Sequence, residues 1–226
     1  MIRAPAAVLL VCATVVAAGC TRTSDGVPTA GTPVLEAPAT ETVQPDPREP
    51  EPQPGVVPTT QAPEPAGSVC APAELPPVRT VAQISDPAAP TATVAVPPGW
   101  SMSSGGGDPT GARIQGESGM SATVTIAPTP LDPTTAFRDY TDELTEGSAI
   151  TTVSILPGDM CGFSGQRLMG ILSDGTETVQ YEDRIVHVPT AAQDYLIAVH
   201  VEAPSGASGF AESAALLTGD FEIGLP

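Results

Sequence analysis

The chain has 226 residues, a formal net charge of -18, eight basic side chains that are all arginine, and no basic cluster. A surface of that sign repels phosphate, which excludes nucleic-acid binding and charge-driven recruitment to anionic membranes. Only four cysteines and two histidines are present, too few and too scattered for a metal-dependent or thiol-based chemistry.

The first twenty residues, MIRAPAAVLLVCATVVAAGC, place Arg3 before an apolar run that ends in Ala17-Ala18-Gly19-Cys20. This is the pattern of a secretory signal. The run is too short for a transmembrane helix, which needs about 20 apolar residues. Small residues directly before a cysteine resemble the lipobox of bacterial lipoproteins, so residues 1–19 read as a lipoprotein signal peptide and Cys20 as the acylated mature terminus. Two acyl chains also meet the requirement for more than one hydrophobic signal in stable anchoring.

Residues 20–69 carry the acylated cysteine and then a proline-rich stretch, with eleven prolines between Thr21 and Val69 and PDPREPEPQP at its centre. Lacking hydrophobic periodicity, it cannot bury a core and reads as a disordered tether. Residues 70–226 are then one domain of ordinary size. Cys70 and Cys161 are its only cysteines. In an oxidising compartment they are expected to pair, and closing so long a loop is worth ~4.6 kcal/mol in the chain-entropy model.

Within the domain, TATVAVPPGW alternates and then turns at Pro97-Pro98-Gly99 into Trp100, which marks a first strand. SMSSGGGDPTG reads as a loop, and ARIQG and SATVTIA as two strands. Asp132-Pro133 supplies an N-cap and an N1 proline for a helix that presents Phe137, Tyr140 and Leu144 on one side. Another strand covers Ala149 to Leu156. The stretch from Gly162 to Glu202 is a three-stranded meander, in which a two-residue Asp174-Gly175 turn would set Arg167 opposite Glu182 and Leu168 opposite Tyr181. YLIAVHV, residues 195–201, is apolar on both faces and reads as the central strand. A second helix, with Phe210, Ala214, Leu217 and Phe221 on one stripe, closes the chain. The fold class is α+β: an antiparallel sheet flanked by two helices.

The order of these elements, the VPPGW strand end and the succession GFSGQRLMGIL, DRIVHVPT, YLIAVHVEA resemble the LpqN/LpqT-type lipoproteins of mycobacteria and their actinobacterial relatives, from about Thr91 to Phe221. The lysine-free Ala, Pro, Gly and Arg bias fits a GC-rich genome. The resemblance implies a PsbP-like sandwich, no enzymatic activity, and a role in handling envelope glycolipid or contacting its transport machinery. The Cys70/Cys161 pair is not part of that pattern.

No catalytic or metal-binding constellation is legible, and no cofactor is implied. The candidate ligand-binding residues are Trp100, at a strand end beside a glycine-rich loop, and the last-strand row Leu196, Ala198, His200 and Glu202, which grades from apolar to polar. On the other face Tyr195, Ile197, Val199 and Val201 form an apolar row suited to helix packing. Two modest helices would leave part of the mixed face open as a groove with Trp100 at its rim. Counting back through the preceding loop sets His200 across from Asp183, so the competing readings are a hydrolase using His200 and a pure protein-interaction domain. The leading expectation is a non-catalytic envelope lipoprotein on the outer face of the cytoplasmic membrane, held through its lipid anchor and without nucleic-acid partners. Replacing Cys20 by Ser is expected to move the protein from the membrane pellet to the soluble fraction; a variant that still sediments with membranes would refute the lipobox reading.

Overall fold

The computed structural model describes residues 53–58, 67–74 and 76–226, so the signal segment, Cys20 and most of the tether lie outside the described residues. Two sheets form the body. The larger has seven strands in the order β4-β5-β6-β10-β9-β8-β7, comprising β4 (Ser101–Gly107), β5 (Thr110–Gln115), β6 (Ser121–Thr129), β7 (Ile150–Pro157), β8 (Gly165–Ser173), β9 (Thr178–Pro189) and β10 (Asp194–Pro204). The smaller has four in the order β1-β11-β3-β2, comprising β1 (Val69–Cys70), β2 (Arg79–Ala82), β3 (Thr91–Ala95) and β11 (Glu222–Gly224). Two helices, α1 (Pro133–Thr145) and α2 (Phe210–Leu217), complete an α+β sandwich of the expected class.

β10 is the middle strand of the large sheet, as its apolar character on both faces requires. Its row Tyr195, Ile197, Val199 and Val201 is fully buried. The cover differs from expectation: this face packs chiefly on the small sheet, against Ala92, Val94 and Ile223, with Ala214, Leu217 and Phe221 from the α2 region. Helices alone were expected because β1, β2 and β11 are two to four residues long, too short to show a period. β4 also replaces the expected glycine-rich loop, since pairing with β5 through a register irregularity satisfies a backbone that has little side chain to pack.

On the opposite face α1 lays Phe137 over Leu168, Tyr181, Ile185 and Ala198. Asp132 caps it as expected, its side chain accepting from the Thr135 amide, with Pro133 in the first turn.

The β8–β9 hairpin keeps its faces but not its predicted register. Ser173 pairs with Thr178, leaving a four-residue loop, and Arg167 lies opposite Arg184 rather than Glu182. The cause is local: Asp174 Oδ1 accepts from the amides of Thr176 and Glu177, both at 2.8 Å, and so organises a longer turn than Asp-Gly alone implies. The slip is two residues, so every side chain stays on its side. Arg167 still reaches Glu182 at 2.9 Å as a diagonal neighbour.

Cys70 and Cys161 are joined, with Cα atoms 6.1 Å apart, which fastens the small sheet to the β7–β8 connection across 91 positions. The tether was expected to run undocked to residue 69, yet Gln53–Pro58 lies against the body. Gln166 Nε2 donates to the Pro54 carbonyl at 2.9 Å, and the Gly165 amide donates to that of Gly55 at 2.9 Å. Ser164 Oγ accepts from the Val57 amide at 2.9 Å and donates to the Val57 carbonyl at 3.3 Å. Ser164 and Gln166 are both buried, so this strap supplies the partners that two interior polar side chains require. Val56 joins the α1 cluster. Gly55 has φ +73°, and a Cβ there would stand 1.8 Å from the Gly165 oxygen. Gly55→Val is therefore expected to detach the strap and to cost about 1–3 kcal/mol. Limited proteolysis should show faster cleavage within residues 53–58, and thermal melting a lower midpoint; unchanged values for both would show that the strap adds nothing to the fold.

Candidate functional site

The chemistry-bearing side chains converge where α1 crosses the large sheet. His200 on β10 stands directly opposite Asp183 on β9, the register that counting through the intervening loop gives. Their side chains meet at 2.6 Å, Nδ1 to Oδ1. Asp183 is fully buried, and its second oxygen accepts from the Tyr140 hydroxyl of α1 at 3.3 Å. The other imidazole nitrogen lies 3.5 Å from Glu202 Oε2, and Glu202 in turn accepts from Ser121 Oγ at 3.3 Å. The Tyr181 ring lies nearly parallel to the imidazole, with centroids 6.4 Å apart.

Burial disfavours the charged imidazole, but hydrogen bonds to Asp183 and Glu202 outweigh it and push the His200 pKa up to about 10. Glu202 is held below the usual carboxylate range, first by its bond to His200. Burial pushes Asp183 up, opposed by the same imidazole. Burial and the neighbouring Asp183 also raise the Tyr140 hydroxyl well above its ordinary value. The bonds to both neighbours thus favour the charged form of the imidazole. Such a histidine has no lone pair free to take a proton from a nucleophile, whereas a general base works best with a pKa near the operating pH.

Beside this cluster a groove of about 520 Å³ opens between α1 and β6/β10. Leu196, Ala127, Leu131 and Leu144 give it apolar walls, Thr123, Thr125 and Thr129 form a hydroxyl row along β6, and Asp139 and Glu143 stand at its α1 rim with Tyr140 and His200 inside. Of the sequence candidates, Leu196 and His200 line this groove. Glu202 reaches it only through His200. Ala198 does not line it: at 2 % exposure it is sealed beneath Phe137 and belongs to the core. Trp100 is also elsewhere. It packs on the core between the two sheets, stacked over Gly116, whose absent Cβ would lie 2.4 Å from the indole. A lone tryptophan at a strand end offers no local sign of which face its ring turns to.

The β6 threonines and the α1 carboxylates escaped the sequence reading. Alternation alone marks Thr123, Thr125 and Thr129 as a polar row, but nothing local says that a helix crosses above it. His187, the second histidine, has a structural role: its Nε2 lies 3.0 Å from the Leu131 carbonyl and fixes the chain where it enters α1.

This arrangement defines an α+β sandwich with a side groove under one helix. No protein-family model and no curated protein sequence matches the chain. Among solved structures, the crystal structure of LpqN, involved in cell envelope biogenesis of Mycobacterium tuberculosis, matches with a TM-score of 0.50 at 17% identity, over 66% of this chain and 91% of that one. The chain therefore has a distant LpqN-like fold, and the likeness is one of fold alone.

The raised His200 pKa stabilises the folded state fully below the free histidine value of about 6.5, and that contribution is lost as pH rises toward 10. Unfolding free energy is expected to fall by roughly 3 kcal/mol between pH 7 and 10 in the wild type. In His200→Gln most of that slope should vanish, with lower stability already at pH 7 because Asp183 is left buried without its cation. Denaturant titrations across this pH range check both; equal slopes would contradict the buried ion pair.

Proposed function

We propose that this protein is a lipid-anchored, non-catalytic binding module of the cell envelope that receives an amphiphile with an uncharged, hydroxyl-rich head in the groove beneath α1. The observation that carries the reading is the groove's division of labour: apolar walls from Leu196, Leu131 and Leu144 beside a hydroxyl row and rim carboxylates. Concave sites of a few hundred Å³ with this mixture of apolar wall and a few directed polar groups suit small-molecule ligands. Asp139 and Glu143 line the groove, and its one cationic lining residue, His200, is already paired with Asp183 and Glu202, so a phosphate or carboxylate head would meet net repulsion. Sugar hydroxyls would donate to the rim carboxylates Asp139 and Glu143. The envelope setting is supported by the lipobox pattern at Cys20 and by the fold shared with LpqN, a protein of cell envelope biogenesis. The closed His200 ion pair favours binding over hydrolysis.

Native mass spectrometry of the protein purified from its own envelope is expected to show a co-purifying neutral lipid. Thr125→Trp, which fills the groove from the half-buried β6 row, should lose that mass while the fold persists. Ala198→Trp should instead unfold the α1 side, because it overpacks a sealed position at a cost of about 1–3 kcal/mol or more. A wild type that carries no lipid, or a Thr125→Trp variant that retains it, would refute the groove as the site.

A further inference from the structure

Strand β7 is the outer edge of the large sheet and pairs only with β8 among the described residues. Its sequence, ITTVSILP, holds no charged side chain, on a protein whose net charge is -18. Its register with β8 is unbroken over all eight residues. Natural proteins guard such edges with lysine, inward charge, bulges or short strands, and β7 has none of these, its one proline standing at the last position. Four of the nine large apolar side chains exposed among the described residues cluster here: Ile150 (65 %), Leu156 (46 %) and Ile155 (42 %) on β7, and Ile171 (39 %) on β8.

We infer that β7 pairs antiparallel with β7 of a second copy of this chain, joining the two seven-stranded sheets about a two-fold axis through Val153. The strand is self-complementary in that register. Val153 meets its own counterpart, Ile150 of each copy lies opposite Leu156 of the other, Thr151 opposite Ile155, and Thr152 opposite Ser154. Because the pairing preserves the side-chain period, each face of one sheet continues into the same face of the next. The two most exposed large apolar side chains of β7 thus become cross-strand partners, and Thr152 meets Ser154. No like charges oppose along the strand. An interface built on one strand pair is small, so association in solution is weak. It would set two α1 grooves in one rigid unit, whatever those grooves hold.

The test is sedimentation of the unacylated chain from Thr21 onward, up to about 0.2 mM, where an interface of this size should associate. A reversible dimer is expected, and Leu156→Lys, at an exposed site that leaves folding intact by circular dichroism, should weaken it at least about tenfold. Register is read by cysteine cross-linking: Thr152→Cys and Ser154→Cys chains should form a disulfide-linked dimer when mixed and little when each is oxidised alone. A chain that stays monomeric at 0.2 mM, a dimer indifferent to Leu156→Lys, or equal cross-linking of the separate and mixed variants would each overturn the inference.

Discussion

Asp183 is a carboxylate with no exposure to water, on β9 of the seven-stranded antiparallel sheet. Left alone it would cost several kcal/mol, so the structure around it is constrained to supply a cation and hydrogen-bond donors. His200, directly across the ladder, gives the cation, and Tyr140 from α1 gives a donor. The second of these contacts matters for the architecture. A helix that reaches down to a buried carboxylate is held at one place over the sheet, with Phe137 settling beside it on Leu168, Tyr181 and Ile185. The groove is what remains between that helix and the β6 threonines. The ion pair thus fixes the helix that roofs the groove.

The two faces of the large sheet solve the burial problem differently. The face carrying Tyr195, Ile197, Val199 and Val201 is uniformly apolar and is sealed by a second sheet, since only an extended apolar surface can cover an extended apolar surface without voids. The face carrying Leu196, Ala198, His200 and Glu202 is mixed, and a single helix covers it. One helix is about 10 Å wide and cannot span seven strands. Incomplete cover on this face follows from the architecture, and threonine hydroxyls rather than large apolar side chains fill the open portion.

The strap at Gln53–Pro58 changes where the tether begins. Proline and glycine make this stretch look like spacer, and along the chain it has no partner. Folded, its carbonyls and an amide meet Ser164, Gly165 and Gln166, more than 100 positions away. A proline-flanked segment has few conformations to lose, so four hydrogen bonds and one partly buried valine hold it.

Local physics was written plainly in the chain. The Asp132-Pro133 cap and the Phe137/Tyr140/Leu144 spacing define α1, the two-sided apolar run marks β10, and the period of two fixes which residues share a face, so that a slip of two between β8 and β9 still left Arg167 within diagonal reach of Glu182. The cysteine pair followed from compartment and count. What the sequence could not decide was anything set by contacts distant along the chain. These include the small sheet made of strands too short to show a period, the side to which Trp100 turns, the burial of Ala198 beneath Phe137, the docking of the strap, and the depth of the groove. Periodicity assigns a side chain to a face; only the packing of one element on another determines whether that face is sealed or left open to a ligand.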